Sequence, residues 1–218
     1  MDEIILIDKP AEMTSFGVVA RVRRVLSERA GKKVKVGHTG TLDPFATGLL
    51  ILMAGKATKK CSEFMKLDKE YVAEIRLGET STTGDPEGEV QKSYTGEVPD
   101  FEVVKKVVQS FVGEIEQRVP VFSAVKIKGR RAYDLARKGI EVEMPVRKVN
   151  IYKIEILEYE WPVLKIKTKV SSGTYIRTLG EDIGEKLGTG AYLTNLRRTK
   201  IDKYIVEEAT PLEEFMKI

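Results

Sequence analysis

The sequence predicts an α+β protein built on a mixed, mainly antiparallel sheet flanked by helices and loops. Two observations carry that prediction. Strand-like and helix-like segments are interspersed along the 218 residues without the steady alternation of a doubly wound sheet. Residues 146–170 hold two long β-rich runs broken by Trp161-Pro162, the pattern of a hairpin.

The elements follow in order. Residues 3–7 read as a buried first strand, ended by Lys9-Pro10. Thr14 or Ser15 can cap the next segment, where Phe16, Val19, Val22, Val25 and Leu26 recur at helical spacing and predict a helix over 15–29. Residues 37–44, Gly-His-Thr-Gly-Thr-Leu-Asp-Pro, resist regular structure and predict a loop. Leu49 to Met53 is short, apolar and glycine-bounded, hence a strand; 57–65 reads as a helix and 71–77 as a strand. Residues 80–88 form a polar loop. Asp100 is a good cap for the helix marked by Val103, Val104, Val107, Val108, Phe111 and Val112. A strand over 121–127 and a helix over 132–138 precede the hairpin; a helix over 174–187, extended structure over 192–206 and a short helix over 211–216 complete the chain.

Composition narrows the function. A chain this long buries one large domain or two small lobes. One cysteine permits no intramolecular disulfide, and one cysteine with one histidine cannot supply a structural zinc site. No apolar run reaches membrane-spanning length and the first residues lack a signal-peptide pattern, so a cytoplasmic protein with no membrane association is expected. No Gly-rich nucleotide loop or dinucleotide fingerprint is present, so nucleotide-cofactor chemistry has no support. The net charge is only +4, yet Lys and Arg cluster at 32–35, 56–60, 126–131 and 197–200, as in a surface that tracks phosphates. A solvated charged face explains any single cluster equally well. The chain holds 24 Lys and 24 Glu against two Asn and three Gln, a bias associated with hot environments that accounts for part of the charge.

The loop at 37–44 sets the sole histidine, His38, five residues before a proline-locked aspartate, Asp43. Asp43 can be a nucleophile or base, or it can cap a helix that Pro44 begins. His38 on its own reads more simply as structural. A working Asp43 needs a partner to keep it ionised, and Arg177, at a β-to-helix junction, can provide a two-pronged bond or merely a surface ion pair. Tyr71, heading a strand, can stack on a flat substrate and move a proton, or be an ordinary half-buried tyrosine.

The string GHTGTLDPFATGLL, followed by GKAT, resembles the catalytic motif of the TruB family of tRNA pseudouridine synthases. Further segments fit the same family in register: Asp8-Lys9-Pro10 with Met13-Thr14-Ser15; Asp68-Lys69-Glu70-Tyr71; Thr83-Gly84-Asp85; Gln117 with Pro120, Ser123-Ala124 and Lys126; Gly173 to Arg177; and Leu196-Arg197-Arg198. Two positions depart from the pattern: Glu12, where the family usually has Gly, and Phe122, where it usually has Tyr.

The resemblance implies a pseudouridine synthase fold over residues 1–218, without the C-terminal RNA-binding domain of the PUA type that members usually carry. It implies that uridine 55 in the T loop of tRNA is flipped out and isomerised, with no cofactor or metal. Asp43 would attack the sugar or the base, Tyr71 would stack on the base and remove the carbon 5 proton, and Arg177 would hold Asp43. His38 would pack against displaced bases and Leu196 would form an apolar floor. Lys9, Arg197, Arg198, Lys126, Lys128 and Arg130 would complete the RNA-binding set. The T-arm stem-loop is the expected partner, with no obligatory protein partner. Two rivals are a guide-RNA-dependent synthase subunit, which usually carries the missing domain, and a catalytically silent RNA-binding module, against which the joint presence of Asp43, Tyr71 and Arg177 argues.

Overall fold

The computed structural model describes residues 2–123, 125–127, 129–136, 139–140 and 142–217. In chain order they form β1 (Glu3–Lys9), α1 (Ser15–Ala30), β2 (Val36–His38), β3 (Thr47–Ala54), a 3-10 segment (Gly55–Lys60), α2 (Cys61–Met65), β4 (Lys69–Leu77), β5 (Glu79–Ser81), β6 (Val90–Lys92), α3 (Phe101–Gln109) and β7 (Gly113–Arg118). The hairpin β8 (Lys126–Ile127) and β9 (Arg130–Arg131) follows, then α4 (Ala132–Ala136), β10 (Val146–Glu160), β11 (Val163–Val170), α5 (Ile176–Leu187), β12 (Ala191–Ile201), β13 (Tyr204–Ile205), a second 3-10 segment (Val206–Glu208), β14 (Thr210–Pro211) and α6 (Leu212–Phe215). The chain divides into two compact units, residues 1–72 with 195–218 and residues 73–194, so that β4 and β12 each pass from one unit to the other.

In the first unit β1 pairs parallel to β14 and antiparallel to β3, while β3 also pairs antiparallel to β2 and parallel to β12. Leu50, Leu52 and Ala54 face the α1 valines and Leu26, and Leu49 and Ile51 pack with Ile201 and Val206. Cover on both faces explains why β3 reads as an unbroken apolar run rather than an alternation. Burial of each α1 valine or leucine is worth about 1.5–3 kcal/mol, and Val18, Val22 and Leu26 are fully enclosed. Of the two candidate caps, Thr14 serves: its Oγ1 accepts the Gly17 N–H at 2.9 Å. At the family's glycine position, Glu12 sits at φ 59°, in the left-handed region that glycine enters without strain. The expected helix over 57–65 begins as the 3-10 segment and becomes α-helical only at Cys61.

In the second unit the strands run in the order β12-β4-β11-β10-β7. The expected hairpin is β10 with β11, joined at Trp161-Pro162 and paired from Glu160↔Val163 to Ile151↔Val170. Ala73, Ile75 and Leu77 of β4, Leu164 and Ile166 of β11, Val104 and Val108 of α3, and Leu179 and Ile183 of α5 are all buried. Three expectations are corrected here. Of the strand expected over 121–127, Lys126–Ile127 form one, Val121 to Ser123 bend after Pro120, and residue 124 lies outside the described residues. The sheet is extended instead by β7, whose Glu-Ile-Glu-Gln sequence carries too little apolar signal to announce a strand. Asp100 stands before α3 but its side chain makes no cap bond, and the helix stops at Gln109, short of Phe111 and Val112. The end of the helix expected over 132–138 falls at 137 and 138, outside the described residues.

Candidate active site

The loop from Thr39 to Ala46 leaves β2 and enters β3, and side chains from distant parts of the first unit hold it on either side of Asp43. Ser15, the first residue of α1, accepts the Leu42 N–H at 2.8 Å and donates to the Leu42 carbonyl at 3.0 Å. Fully buried Lys9 donates through Nζ to the carbonyls of Pro10 (2.8 Å), Met13 (2.6 Å) and Pro44 (3.0 Å). Arg198, also buried, donates from Nε to Leu49 (2.8 Å) and from its Nη atoms to Gly40 (3.2 Å) and Thr41 (3.4 Å). Gly48 pairs with Arg198 so closely that a Cβ there would collide with the Arg198 carbonyl, which is why a glycine at φ 102° begins this strand.

Asp43 itself is half-buried, and Asp-Pro makes a tight turn, with the Asp43 carbonyl accepting the Ala46 N–H at 3.1 Å, rather than starting a helix. A carboxylate whose two neighbours are fixed while it remains partly open is placed for nucleophilic or base chemistry. His38 ends β2 opposite Leu52, and its Nδ1 accepts the Gly40 N–H at 3.3 Å, which leaves Nε2 to carry the proton of the neutral ring.

Tyr71 and Leu196 are buried on β4 and β12 of the same unit. Two residues before Tyr71, Lys69 donates to the Met65 and Leu67 carbonyls at 2.6 and 2.5 Å and so closes the end of α2. Burial pushes the Lys69 ammonium down to about 8, the Arg198 charge adding to the effect and Asp68 opposing it. Arg197 forks onto Asp8, at 3.1 and 2.7 Å, and reaches Thr47 Oγ1 at 3.4 Å. Of the cations expected to face RNA, therefore, Lys9 and Arg198 lie inside the protein and Arg197 is half-exposed with its fork engaged.

In the second unit Arg177 occupies the first turn of α5 and is buried, which removes the surface ion-pair reading. Its Nη1 donates to the Thr83 carbonyl and to Asp85 Oδ2, both at 3.0 Å, and its Nη2 to the Phe122 carbonyl at 2.7 Å. Asp85 is held in turn by the Thr83 hydroxyl (2.5 Å) and the Glu87 N–H (3.1 Å). Gln117 fixes the start of α5 with two hydrogen bonds to the Tyr175 backbone, its Nε2 donating to the carbonyl at 3.0 Å and its Oε1 accepting the N–H at 2.8 Å. Burial pushes Glu181 up to about 7; Arg177 pulls it down, and Asp182 and Asp85 push it further up. Glu181 lies against Gly84, where a Cβ would stand 2.7 Å from its carboxylate. Lys126 and Arg130 stand exposed on the β8–β9 hairpin, and Lys128 lies outside the described residues.

Asp85, Gln117 and Ser15 are the participants to which the sequence assigned no role in the site. Each holds its target through contacts 27 to 92 positions away in the chain; the family pattern contains all three, in Met13-Thr14-Ser15, Thr83-Gly84-Asp85 and Gln117, without giving any of them a partner. Among the described residues no group of three or more His, Cys, Asp or Glu is placed to hold a metal ion.

The chain matches the TruB family pseudouridylate synthase N-terminal domain over residues 23–176 and the tRNA pseudouridylate synthase B C-terminal domain over residues 177–218. It is 47% identical to a tRNA pseudouridine synthase B of Phocaeicola vulgatus, over 98% of this chain and 91% of that one. It is 48% identical to the protein of the same name from Aquifex aeolicus, over 99% of this chain and 74% of that one. Among solved structures, a Cbf5-Nop10-Gar1 complex aligns at 33% identity and TM-score 0.71, covering 98% of this chain and 53% of the other. An H/ACA RNP bound to a substrate RNA containing 2'-deoxyuridine aligns at 30% identity and TM-score 0.71, so this chain spans about half the length of those chains, at 52% for the second. With residues 23–176 of 218 matched by one family model and a 47%-identical relative covered over 91% of its length, the chain belongs to the TruB family of pseudouridylate synthases.

Proposed function

We propose that the protein isomerises uridine to pseudouridine at position 55 in the T loop of tRNA, within a catalytic domain that spans residues 1–218. The observation that carries this reading is the held loop: Leu42 and Pro44 are both tied to buried polar side chains while Asp43 between them stays partly open. The target base leaves the RNA stack at a cost of a few kcal/mol. Asp43 attacks the sugar or the base, the bond from ribose to N1 breaks, the uracil turns, carbon 5 joins the ribose, and the bond made by Asp43 breaks to return the free carboxylate. The carbon 5 proton leaves to Tyr71 and a proton returns to N1, so atoms balance with no oxidant, reductant or added group. Arg177 serves Asp43 as the cation that keeps it charged. His38 fills the space of the flipped base, Leu196 floors the pocket, and Lys126, Lys128 and Arg130 meet phosphates. Arg197, half-exposed beside Asp8, borders that RNA surface, and buried Lys9 and Arg198 hold the Asp43 loop beneath it. The single cysteine supports a cytoplasmic setting and the Lys- and Glu-rich composition a hot one.

The test is incubation of the purified protein alone with an unmodified tRNA transcript or its T-arm stem-loop, followed by mapping of pseudouridine. Product is expected in the T loop. Asp43→Ala is expected to lose at least about a thousandfold in rate, the scale seen when a nucleophile is removed, while still binding RNA. Residual turnover near the parental rate would sink the role of Asp43, and turnover only with an added guide RNA would replace the stand-alone reading.

A further inference from the structure

We propose that Ser15 and Arg198 are positioning residues for Asp43, acting on the reaction through the loop backbone rather than through RNA. The inference rests on the reading of Asp43 as the reacting group. The Ser15 hydroxyl uses both its donor and its acceptor on a single residue, Leu42, which immediately precedes Asp43. These two bonds fix the peptide planes on either side of Leu42, the second of which leads into Asp43, and they come from a residue whose own helix is capped by its neighbour Thr14. Ser15 is 2% exposed, so the hydroxyl has no access to solvent or to phosphate.

Arg198 does the same upstream. Its guanidinium spans the carbonyls of Gly40, Thr41 and Leu49, tying the start of the loop to β3, the strand it enters, through one planar group. Nε, Nη1 and Nη2 each serve a different carbonyl, so the three acceptors are spread along a planar fork; a lysine ammonium, whose donors radiate from one nitrogen as in Lys9, does not match that layout. At 1% exposure Arg198 is cut off from the RNA phosphates, so its charge is not what the position needs. A small displacement of a reacting group far exceeds a lost hydrogen bond in its effect on rate, because reaction demands near-contact alignment.

A control lies in the same helix. Ser27 makes the same kind of brace, donating to Arg23 at 2.7 Å and accepting the Val34 N–H at 3.0 Å, but it holds the end of α1 and not the Asp43 loop. Ser15→Ala, Ser27→Ala, Arg198→Lys and Asp43→Ala should be compared by single-turnover rate on a T-arm stem-loop, by Kd for that RNA and by thermal midpoint. Ser15→Ala is expected to turn over at least tenfold more slowly with Kd unchanged within twofold, while Ser27→Ala shows a similar fall in thermal midpoint and the parental rate. Arg198→Lys keeps the charge and is expected to lose rate by tenfold or more, again with Kd unchanged. The proposal is overturned if Ser15→Ala matches Ser27→Ala in rate, or if Arg198→Lys turns over like the parent. An active Asp43→Ala would instead overturn the reading of the nucleophile, a separate outcome.

Discussion

The two units hold a charged group in opposite ways. Around Asp43 the first unit directs cations and a hydroxyl at neutral backbone carbonyls and amides, so the loop is fixed by bonds whose acceptors do not titrate. Around Arg177 the second unit uses counter-charge: Asp85 is bonded directly, and Glu181 lies within its field. The first arrangement fixes the backbone on either side of a half-buried carboxylate. The second fixes a charge and makes its surroundings sensitive to pH. Lys69 is the exception in the first unit, an ammonium that loses its proton near pH 8.

The contrast is broken most severely by removing a counter-charge. Asp85→Ala strips a buried guanidinium of a bonded partner and is expected to cost about 3 kcal/mol, read as a fall in denaturant midpoint; a loss under 1 kcal/mol would place the charge elsewhere. Lys9→Met keeps the length of the side chain but leaves three carbonyls without their donor. An expected cost of about 2 kcal/mol should be accompanied by slower turnover at unchanged RNA affinity, and parental kinetics would count against a role in the loop.

Glu181→Gln sharpens the pH side. The folded pKa, about 7, lies above the ordinary 4.5, so the fold favours the protonated acid. The resulting penalty is absent well below pH 4.5, grows as pH rises between the two values, and is complete above pH 7. After allowance for solvent, Glu181→Gln should gain about 1–2 kcal/mol at pH 8 and nothing near pH 4. Chemical denaturation across that range reads the difference, and a gain independent of pH would refute the assignment. The smallest change is Glu12→Gly, which relieves a left-handed residue and is expected to stabilise by about 0.5–1 kcal/mol, visible as a modest rise in thermal midpoint with turnover unaltered.

Much of this was legible in the sequence where physical periodicity speaks. The α1 valines, the apolar run of β3, the alternation of β4 and the β10–β11 hairpin are products of burial, and burial writes itself into side-chain pattern. The Asp43 loop was marked by its glycines and by the family motif. What stayed hidden was long-range polar contact with backbone. Arg197-Arg198 reads as a phosphate-binding pair, yet one forks onto Asp8 and the other onto carbonyls about 150 positions away in the chain. Every residue offers the same carbonyl, so no spacing could reveal which ones Lys9, Ser15 and Arg198 would choose. Strand β7 escaped for a related reason: its pairing with β10 is made by main chain, and its side chains alternate glutamate with little that is apolar.

The parallel pairing of β12 with β3 has a consequence for the order of assembly. On a ribosome the Asp43 loop emerges early, whereas Arg198 and its partner strand segment arrive only after residues 73–194 have been made. The Gly40 bond bridges 158 positions, a closure of the slow, non-local kind. A nascent chain can thus complete α1 and β1 and seat Ser15 and Lys9 while its reactive loop still lacks its last fastening. The last fastening of the loop is therefore a late event in the life of the chain, withheld until residues 73–194 have been made.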